Sequence, residues 1–310
     1  MRVLVTGGSG SLGSELVPAL AARGREVVVL DRQPGAAAAS SGLGIAVVEG
    51  AVEDRTAVEK AVRGAEVVIH MAWSFAEDPA TLLERDLRGH QVLLDACRAH
   101  AVRHFVYTST AVVYGKPVHV PIREDDPLRA LEARKPSYGV AKEFAEKLAL
   151  LATLSGGPPA TILRFWWAFG ADIGGRHLRD MLRDAAAGKD LLVPGACGGS
   201  FLSIEDFIHA IELVMLRPES FGQVFNLSSA YVEWEEIARM AVEVTGSSAR
   251  VVVVPSGEWK GAAFLADSWR LDDDRIRRVL GFEPRRDARQ VRDMLKKAMG
   301  QTWKKVVSPS

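Results

Sequence analysis

Cysteine is nearly absent, with only Cys97 and Cys197 in 310 residues. Two thiols exclude a disulfide framework and a four-cysteine zinc cluster, and they fit a reducing compartment. Net charge is lacking as well, since 39 Lys and Arg stand against 39 Asp and Glu. No whole-molecule field gathers nucleic acid or an acidic membrane, so neither is expected as a partner. No uninterrupted apolar run reaches the roughly 18 residues a membrane-crossing helix needs. The first strand begins at Arg2, which leaves no room for a secretion signal, and a cytoplasmic protein is expected. No internal repeat is found. What remains, 48% hydrophobic and 25% charged residues, is the make-up of a globular chain that hides roughly 75% of its unfolded surface without staples.

Arg2-Val-Leu-Val-Thr6 is a β-rich run ending in glycines, and Ser11 to Arg23 carries Leu12, Leu16, Ala19 and Leu20 at helical spacing. Further apolar runs follow at Val27–Leu30, Ile45–Val48, Val67–Ile69, Phe105–Tyr107 and Thr161–Leu163, with helical stretches between most of them, the last over Ser137 to Leu154. Apolar strands alternating with helices predict an α/β fold, a Rossmann-type doubly wound parallel sheet over residues 1–165. Beyond that the alternation breaks at Gly170–Gly175 and Gly195–Gly199. A smaller mixed α/β substrate region is expected over 166–305, with the chain free to cross back to the sheet, followed by a fraying tail at 306–310. Ala36 to Ser41 reads as a small-residue loop. Two stretches rich in Arg and Lys, Asp272–Leu280 and Asp287–Met299, read as helices with solvated faces, an anion or subunit contact being the alternative.

Thr6-Gly-Gly-Ser-Gly-Ser-Leu-Gly13 lies between the first strand and the first helix. There Gly7 permits a tight turn, Gly10 lets backbone approach a pyrophosphate, Gly13 lets the helix pack on the sheet, and the helix N-terminus faces the phosphates. Asp31 closes the second strand, where its carboxylate accepts from both ribose hydroxyls and repels a 2′-phosphate. NAD is therefore expected over NADP, although Arg32 next to it is a group that can hold a 2′-phosphate.

Tyr138 and Lys142 in Ser137-Tyr-Gly-Val-Ala-Lys142 leave one helix face a turn apart. A free phenol titrates near pH 10, so proton exchange near neutrality asks for about 4 kcal/mol of preferential stabilisation of phenolate. A neighbouring ammonium and a positive nicotinamide ring are groups that supply it. Thr108, Ser109 and Thr110 end the fifth strand, where open α/β sheets hold their ligands, and a hydroxyl there would bond the substrate oxygen that exchanges its proton with Tyr138.

These segments resemble the extended short-chain dehydrogenases/reductases of the NAD-dependent epimerase/dehydratase type. The likeness spans nearly the whole chain: residues 6–13 are similar to its nucleotide loop, His70-Met-Ala72 to its fourth-strand segment, Val113-Tyr-Gly115 to its post-catalytic segment and Tyr138–Lys142 to its catalytic pair. Leu163-Arg164, Ile204-Glu-Asp206 and Leu280-Gly-Phe-Glu-Pro284 match further segments. The resemblance implies that Tyr138 is the general acid/base, that Lys142 binds the nicotinamide ribose and lowers the phenol's pKa, and that Thr110 is the catalytic hydroxyl, with Ser109 as fallback. Cofactor contacts are expected at Gly7, Gly10, Ser11, Leu12, Gly13, Asp31, Arg32, Ala51, Val52, Met71, Ala72, Trp73, Thr108, Tyr138 and Lys142. Substrate contacts are expected at Ser74, Thr110, Tyr138, Arg164, Trp166 and Trp167. For His70 and Trp73, packing and nicotinamide contact both stay open, and no metal is expected. Family analogy implies a homodimer paired through its long helices.

The sequence also departs from the resemblance. Ala51 stands where an Asp meets the adenine amine, leaving Glu53 or Asp54 as substitutes, and Asp86 replaces an Asn. Phe165-Trp-Trp167 stands where nucleotide-sugar epimerases carry an Asn, and Gly198-Gly-Ser200 stands where they carry a diphosphate-holding Arg. Arg164, Arg176 and Arg179 are possible compensations. Trp166 and Trp167 suit a stacked base, an apolar substrate pocket or core packing. Ala111-Val112 replaces the dehydratase Asp-Glu, and Glu124, Asp125 and Asp126 read as solvated turn residues. The expected reaction is hydride transfer at a secondary alcohol or ketone of a sugar or sugar-nucleotide, by an epimerase or ketoreductase. The alternatives are a dehydrogenase/reductase of a smaller or more apolar carbonyl compound and a non-catalytic nucleotide sensor, which the intact Tyr138 and Lys142 oppose.

Overall fold

All six apolar runs become neighbouring strands, and a seventh strand from the far half of the chain joins them. The computed structural model describes residues 1–33, 35 and 44–307; the expected loop at Ala36 to Ser41 and the last three residues of the expected tail lie outside the described residues. The strands are β1 (Arg2–Thr6), β2 (Glu26–Asp31), β3 (Ala46–Glu49), β4 (Val67–His70), β5 (His104–Thr108), β6 (Ala160–Arg164) and, from the carboxyl half, β10 (Val224–Asn226). They lie side by side in the order β3-β2-β1-β4-β5-β6-β10, every neighbouring pair parallel. The order reverses between β1 and β4. A crevice opens there outside the carboxyl ends of the strands, the place where such sheets bind ligands.

Helices cover both faces, which is why β4, β5 and β6 are buried throughout and β1 is buried beyond Arg2. On one face α1 (Gly13–Ala22) and α6 (Ile204–Val214) pack Leu16, Leu20, Phe207 and Ile211 against Val3, Val5 and Val106. On the other α2 (Arg55–Val62), α3 (Arg88–Ala99) and α4 (Pro136–Leu154) pack Val58, Leu93, Cys97 and Ala145 against Leu4, Val68 and Phe105. Sequence sets the ends of these helices. Asp54 caps α2 by accepting from the N–H groups of Thr56 and Ala57, Pro136 opens α4, and Ser203 caps α6 by accepting from Asp206 N.

The carboxyl region is built on β9 (Gly198–Ser203), which pairs antiparallel with β11 (Ala230–Glu233) and parallel with β7 (Trp167–Phe169) and β13 (Ser268–Trp269). Around it lie α5 (Arg176–Ala186), α7 (Trp234–Thr245), α9 (Ala288–Val307) and the parallel pair β8 (Leu191–Pro194) and β12 (Val251–Val254), whereas α8 (Asp274–Leu280) packs Ile276 and Leu280 into the core of the main sheet beside β10. Leu178, Phe201, Trp234, Val291 and Leu295 make a second core there. The chain crosses back through α6 and β10. Buried Asp206 ties that crossing together, accepting from Arg285 N at 2.6 Å and from the hydroxyls of Ser203 and Ser229. The fraying tail needs correction at its start, because Val306 and Val307 complete the last turn of α9.

Candidate active site

The glycine loop forms the floor of a crevice of ≈ 280 Å³ lined by Gly7, Ser9, Gly10, Asp31, Arg32, Val52, Met71, Ala72, Trp73, Ser74, Phe75 and Asp86, among others. Gly7 has φ 71°, and a Cβ there would sit 2.8 Å from the backbone of Ala72. A Cβ on Gly13 would sit 2.5 Å from the carbonyl oxygen of Gly7, so this glycine packs the helix on the turn and not on the sheet. At Gly10 only Gly7 O lies within 4 Å of such an atom, at 3.3 Å, so its outer side is open to a ligand. Asp31 accepts from Ser9 N at 2.9 Å and from Gln33 N at 3.0 Å, which fixes its carboxylate on the crevice wall.

Not every expected cofactor contact lines the crevice. Ser11, Leu12, Gly13, Ala51, Thr108, Tyr138 and Lys142 stay off its wall, whereas Gln33, Phe75 and Arg85, which carry no motif, are on it. Glu53 is on the wall while Asp54 is spent on its helix cap, so Glu53 is the acid left to replace the missing Asp beside Ala51. The crevice fits a dinucleotide chemically. Its glycine floor admits phosphate, Asp31 accepts from hydroxyls, and Ser9 Oγ and Trp73 Nε1 are buried polar atoms with no partner among the described residues.

Deeper in, α4 presents Tyr138 and Lys142 toward the end of β5. Lys142 is buried, donates to Thr108 O at 2.9 Å, and holds its ammonium 4.1 Å above the Trp73 ring and 4.7 Å from the Tyr107 ring. Burial brings the Lys142 ammonium down to about 7, opposed by the carboxylates of Asp86 and Glu146. Burial pushes the Tyr138 phenol up, hydrogen bonding with the Thr110 side chain pulls it down, and the Asp86 carboxylate adds to the upward push. Among the chain's own groups the phenol is thus kept protonated. Behind this pair His70, His90 and Tyr107 pack ring on ring, and burial with the nearby Lys142 charge brings His90 down to about 3.

The three hydroxyls at the end of β5 now separate. Thr108 Oγ1 donates inward to His70 O at 3.1 Å. Ser109 donates to the buried carboxylate of Glu146 and is spent there, which corrects its expected role as fallback catalytic hydroxyl. Thr110 caps the 3₁₀ turn Ala111–Tyr114 and is the hydroxyl that acts on Tyr138. Thr108 is the last residue of β5, and Ser109 and Thr110 lie beyond it, where the chain leaves the strand for the 3₁₀ turn.

Two expected substrate contacts also need correction. Arg164 is buried, and its guanidinium forms a two-bond pair with Glu146 at 3.0 and 2.6 Å while donating to Tyr114 Oη at 2.9 Å and Glu124 O at 3.3 Å. It offers nothing to a substrate. Ser74 gives its N–H and hydroxyl to Asp86, at 2.8 and 2.5 Å, and holds the β4 loop in place. Glu124 is buried and accepts from Asn226 N, so it is not the solvated turn residue expected; Asp125 pairs with Arg275 and Asp126 with His119.

Trp166 and Trp167 stand at the end of β6 in an aromatic cluster with Phe201 and Trp234. The Trp166 ring lies over Gly199, where a Cβ would come 2.1 Å from the indole, and a Cβ on Gly198 would come 2.2 Å from Val232 O. The position of the expected diphosphate arginine is therefore occupied by an indole lying on bare backbone. Among the described residues no cluster of His, Cys, Asp and Glu is arranged to hold a metal ion, and no helix is long and apolar enough to cross a membrane.

Residues 3–228 match the model of the NAD dependent epimerase/dehydratase family. The chain belongs to that family. It is an enzyme of the extended short-chain dehydrogenase/reductase type, with NAD-dependent relatives. One relative, a UDP-glucose 4-epimerase of Halalkalibacterium halodurans, is 28% identical over 92% of this chain and 91% of its own length. A 4-hydroxy-2-methyl-3-oxo-4-farnesyl-3,4-dihydroquinoline-1-oxide ketoreductase of Stigmatella aurantiaca is 30% identical over 96% of each chain. Among solved structures, a short-chain dehydrogenase/reductase superfamily protein of Agrobacterium tumefaciens with bound NAD has a TM-score of 0.78 at 25% identity, covering 99% of this chain and 98% of that one.

Proposed function

We propose that this enzyme moves hydride reversibly between a secondary carbinol and NAD, with Tyr138 carrying the carbinol proton. The observation that carries this reading is the convergence of Tyr138, Thr110 and Lys142 at the end of β5, beside the glycine-floored crevice. NAD, when bound, would supply a hydride acceptor and donor at its nicotinamide. Gly7 and Gly10 would receive the pyrophosphate, Asp31 the adenosine ribose, and Lys142 the nicotinamide ribose. Thr110 bonds the substrate oxygen and orients it toward the phenol. Lys142, with an ammonium that titrates about pH 7, is the chain's own positive group beside Tyr138 and favours phenolate as the proton leaves. Asp31 on the crevice wall supports NAD over NADP.

Two substrate readings follow from different observations. A sugar or sugar-nucleotide carbinol is supported by the UDP-glucose 4-epimerase relative. A more apolar ketone is favoured by Trp166 lying on Gly199 and by the ketoreductase relative. A homodimer through α3 and α4 is supported by the exposure of Phe144, Leu151 and Leu154 on α4.

The test is to titrate the purified protein with NAD and NADP separately, and then to follow nicotinamide reduction with a panel of secondary carbinols and epimerisation of UDP-glucose. NAD is expected to bind about tenfold or more tighter than NADP because of the Asp31 charge, and Thr110→Ala is expected to lose turnover. Absence of both reduction and epimerisation across the panel would sink the proposal.

A further inference from the structure

Of the polar side chains expected at the reacting end of the site, four are already spent on the protein. Ser74 is bound to Asp86, Ser109 and Arg164 to Glu146, and Trp167 Nε1 to Gly174 O at 3.2 Å. A polyhydroxylated ring needs unspent donors and acceptors at its seat, because each hydroxyl removed from water without a partner costs binding. Phe75 shows the opposite character. It stacks on the Tyr138 ring with centroids 5.7 Å apart and planes 21° from parallel, yet 64% of it stays exposed. Its backbone has φ 56°, a conformation a bulky side chain rarely adopts, and the bonds from Ser74 to Asp86 and from Ala76 N to Ser74 Oγ pin the turn that holds it. On the other side Trp166 packs with Ala111, the residue after Thr110, and stacks on Trp269. An exposed aromatic in a held, strained turn beside a proton-carrying phenol is a stacking surface.

We infer that the substrate is a ketone or carbinol on or next to a planar apolar ring, and that Phe75 is the side chain that stacks on that ring while Tyr138 meets its oxygen. The inference rests on the hydride-transfer reading and narrows its substrate. Stacking fixes the ring plane, and with it the face of the carbonyl turned toward the nicotinamide.

The test is calorimetry on the whole chain with NADH at saturation, titrated separately with 1-acetonaphthone and with UDP-glucose. The ketone is expected to bind and UDP-glucose to show no binding. Phe75→Ala should weaken the ketone about tenfold and Phe75→Tyr should restore it. Tyr138→Phe should still bind the ketone. Saturable UDP-glucose binding, absence of ketone binding, or ketone affinity indifferent to Phe75→Ala would each overturn the inference. If the ketone binds through Phe75 but NADH never reduces it, the hydride-transfer reading fails while the stacking surface stands; if UDP-glucose is bound and epimerised, the reverse holds.

Discussion

Two pairs of glycines do opposite work in this molecule. In the amino-terminal half, Gly7 and Gly13 bring backbone against backbone at Ala72 and at the turn itself, and the space beyond Gly10 is left open. In the carboxyl half, Gly198 also meets backbone at Val232, but Gly199 makes room for the side chain of Trp166, and the space above it is closed by an indole. The first pair makes a concavity for a ligand and the second fills one. The difference teaches that a glycine run signals close approach without saying what approaches. The neighbouring sequence decides, a strand and a helix in one case and two tryptophans in the other.

The strongest way to break this comparison is to loosen the joint both halves share. The Glu146–Arg164 pair is buried and also fixes Ser109, Tyr114 and the backbone of Glu124. Arg164→Ala leaves the Glu146 carboxylate buried without its partner, and chemical denaturation should show a loss of about 3–5 kcal/mol. Next in size, Gly13→Val forces a side chain onto the carbonyl of Gly7 and should cost about 1–3 kcal/mol with loss of NAD binding by calorimetry. Gly199→Ala meets a ring and not backbone; it should cost about 1 kcal/mol, with NAD affinity unchanged, because the indole can shift. If Gly199→Ala weakens NAD as much as Gly13→Val does, the two glycine pairs are not separate devices.

Another effect has the opposite sign. Burial brings Lys142 down to about 7 from an ordinary value near 10.5. Between those values the unfolded chain binds a proton that the folded chain does not, so stability gains from this group as pH rises through that window. Below pH 7 the folded state bears the full cost of a buried ammonium. Lys142→Met should therefore raise the melting temperature at pH 6, and the gain should shrink toward pH 10. A gain that is constant with pH would mean that the charge is not what costs.

The parallel sheet was legible because burial on both faces gives β1, β4, β5 and β6 their apolar runs, and the crevice because its glycines sit between a strand and a helix. The small sheet around β9 was not. Its strands are short, Gly198 and Gly199 carry no side-chain pattern, and β13 spans two residues. Arg164 read as a substrate contact because sequence does not show that Glu146, one turn beyond Lys142 on α4, reaches it. Ser109 and Thr110 are adjacent hydroxyls just past β5, and sequence does not show which way each turns. Phe75 left no signal at all, since a lone aromatic in a loop has no period.

Two phenols, that of half-buried Tyr138 and that of buried Tyr107, stand near Lys142, and Tyr107 Oη has no hydrogen-bond partner among the described residues. The most direct measurement compares Tyr138→Phe with Tyr107→Phe in single-turnover hydride transfer, with NAD affinity measured alongside. Removing a group that carries the reacting proton should slow the step by roughly 10² to 10⁴-fold. That loss is expected for Tyr138→Phe, at unchanged NAD affinity, while Tyr107→Phe stays near the wild-type rate. A Tyr138→Phe variant as fast as wild type, or a Tyr107→Phe variant equally slow, would contradict the account.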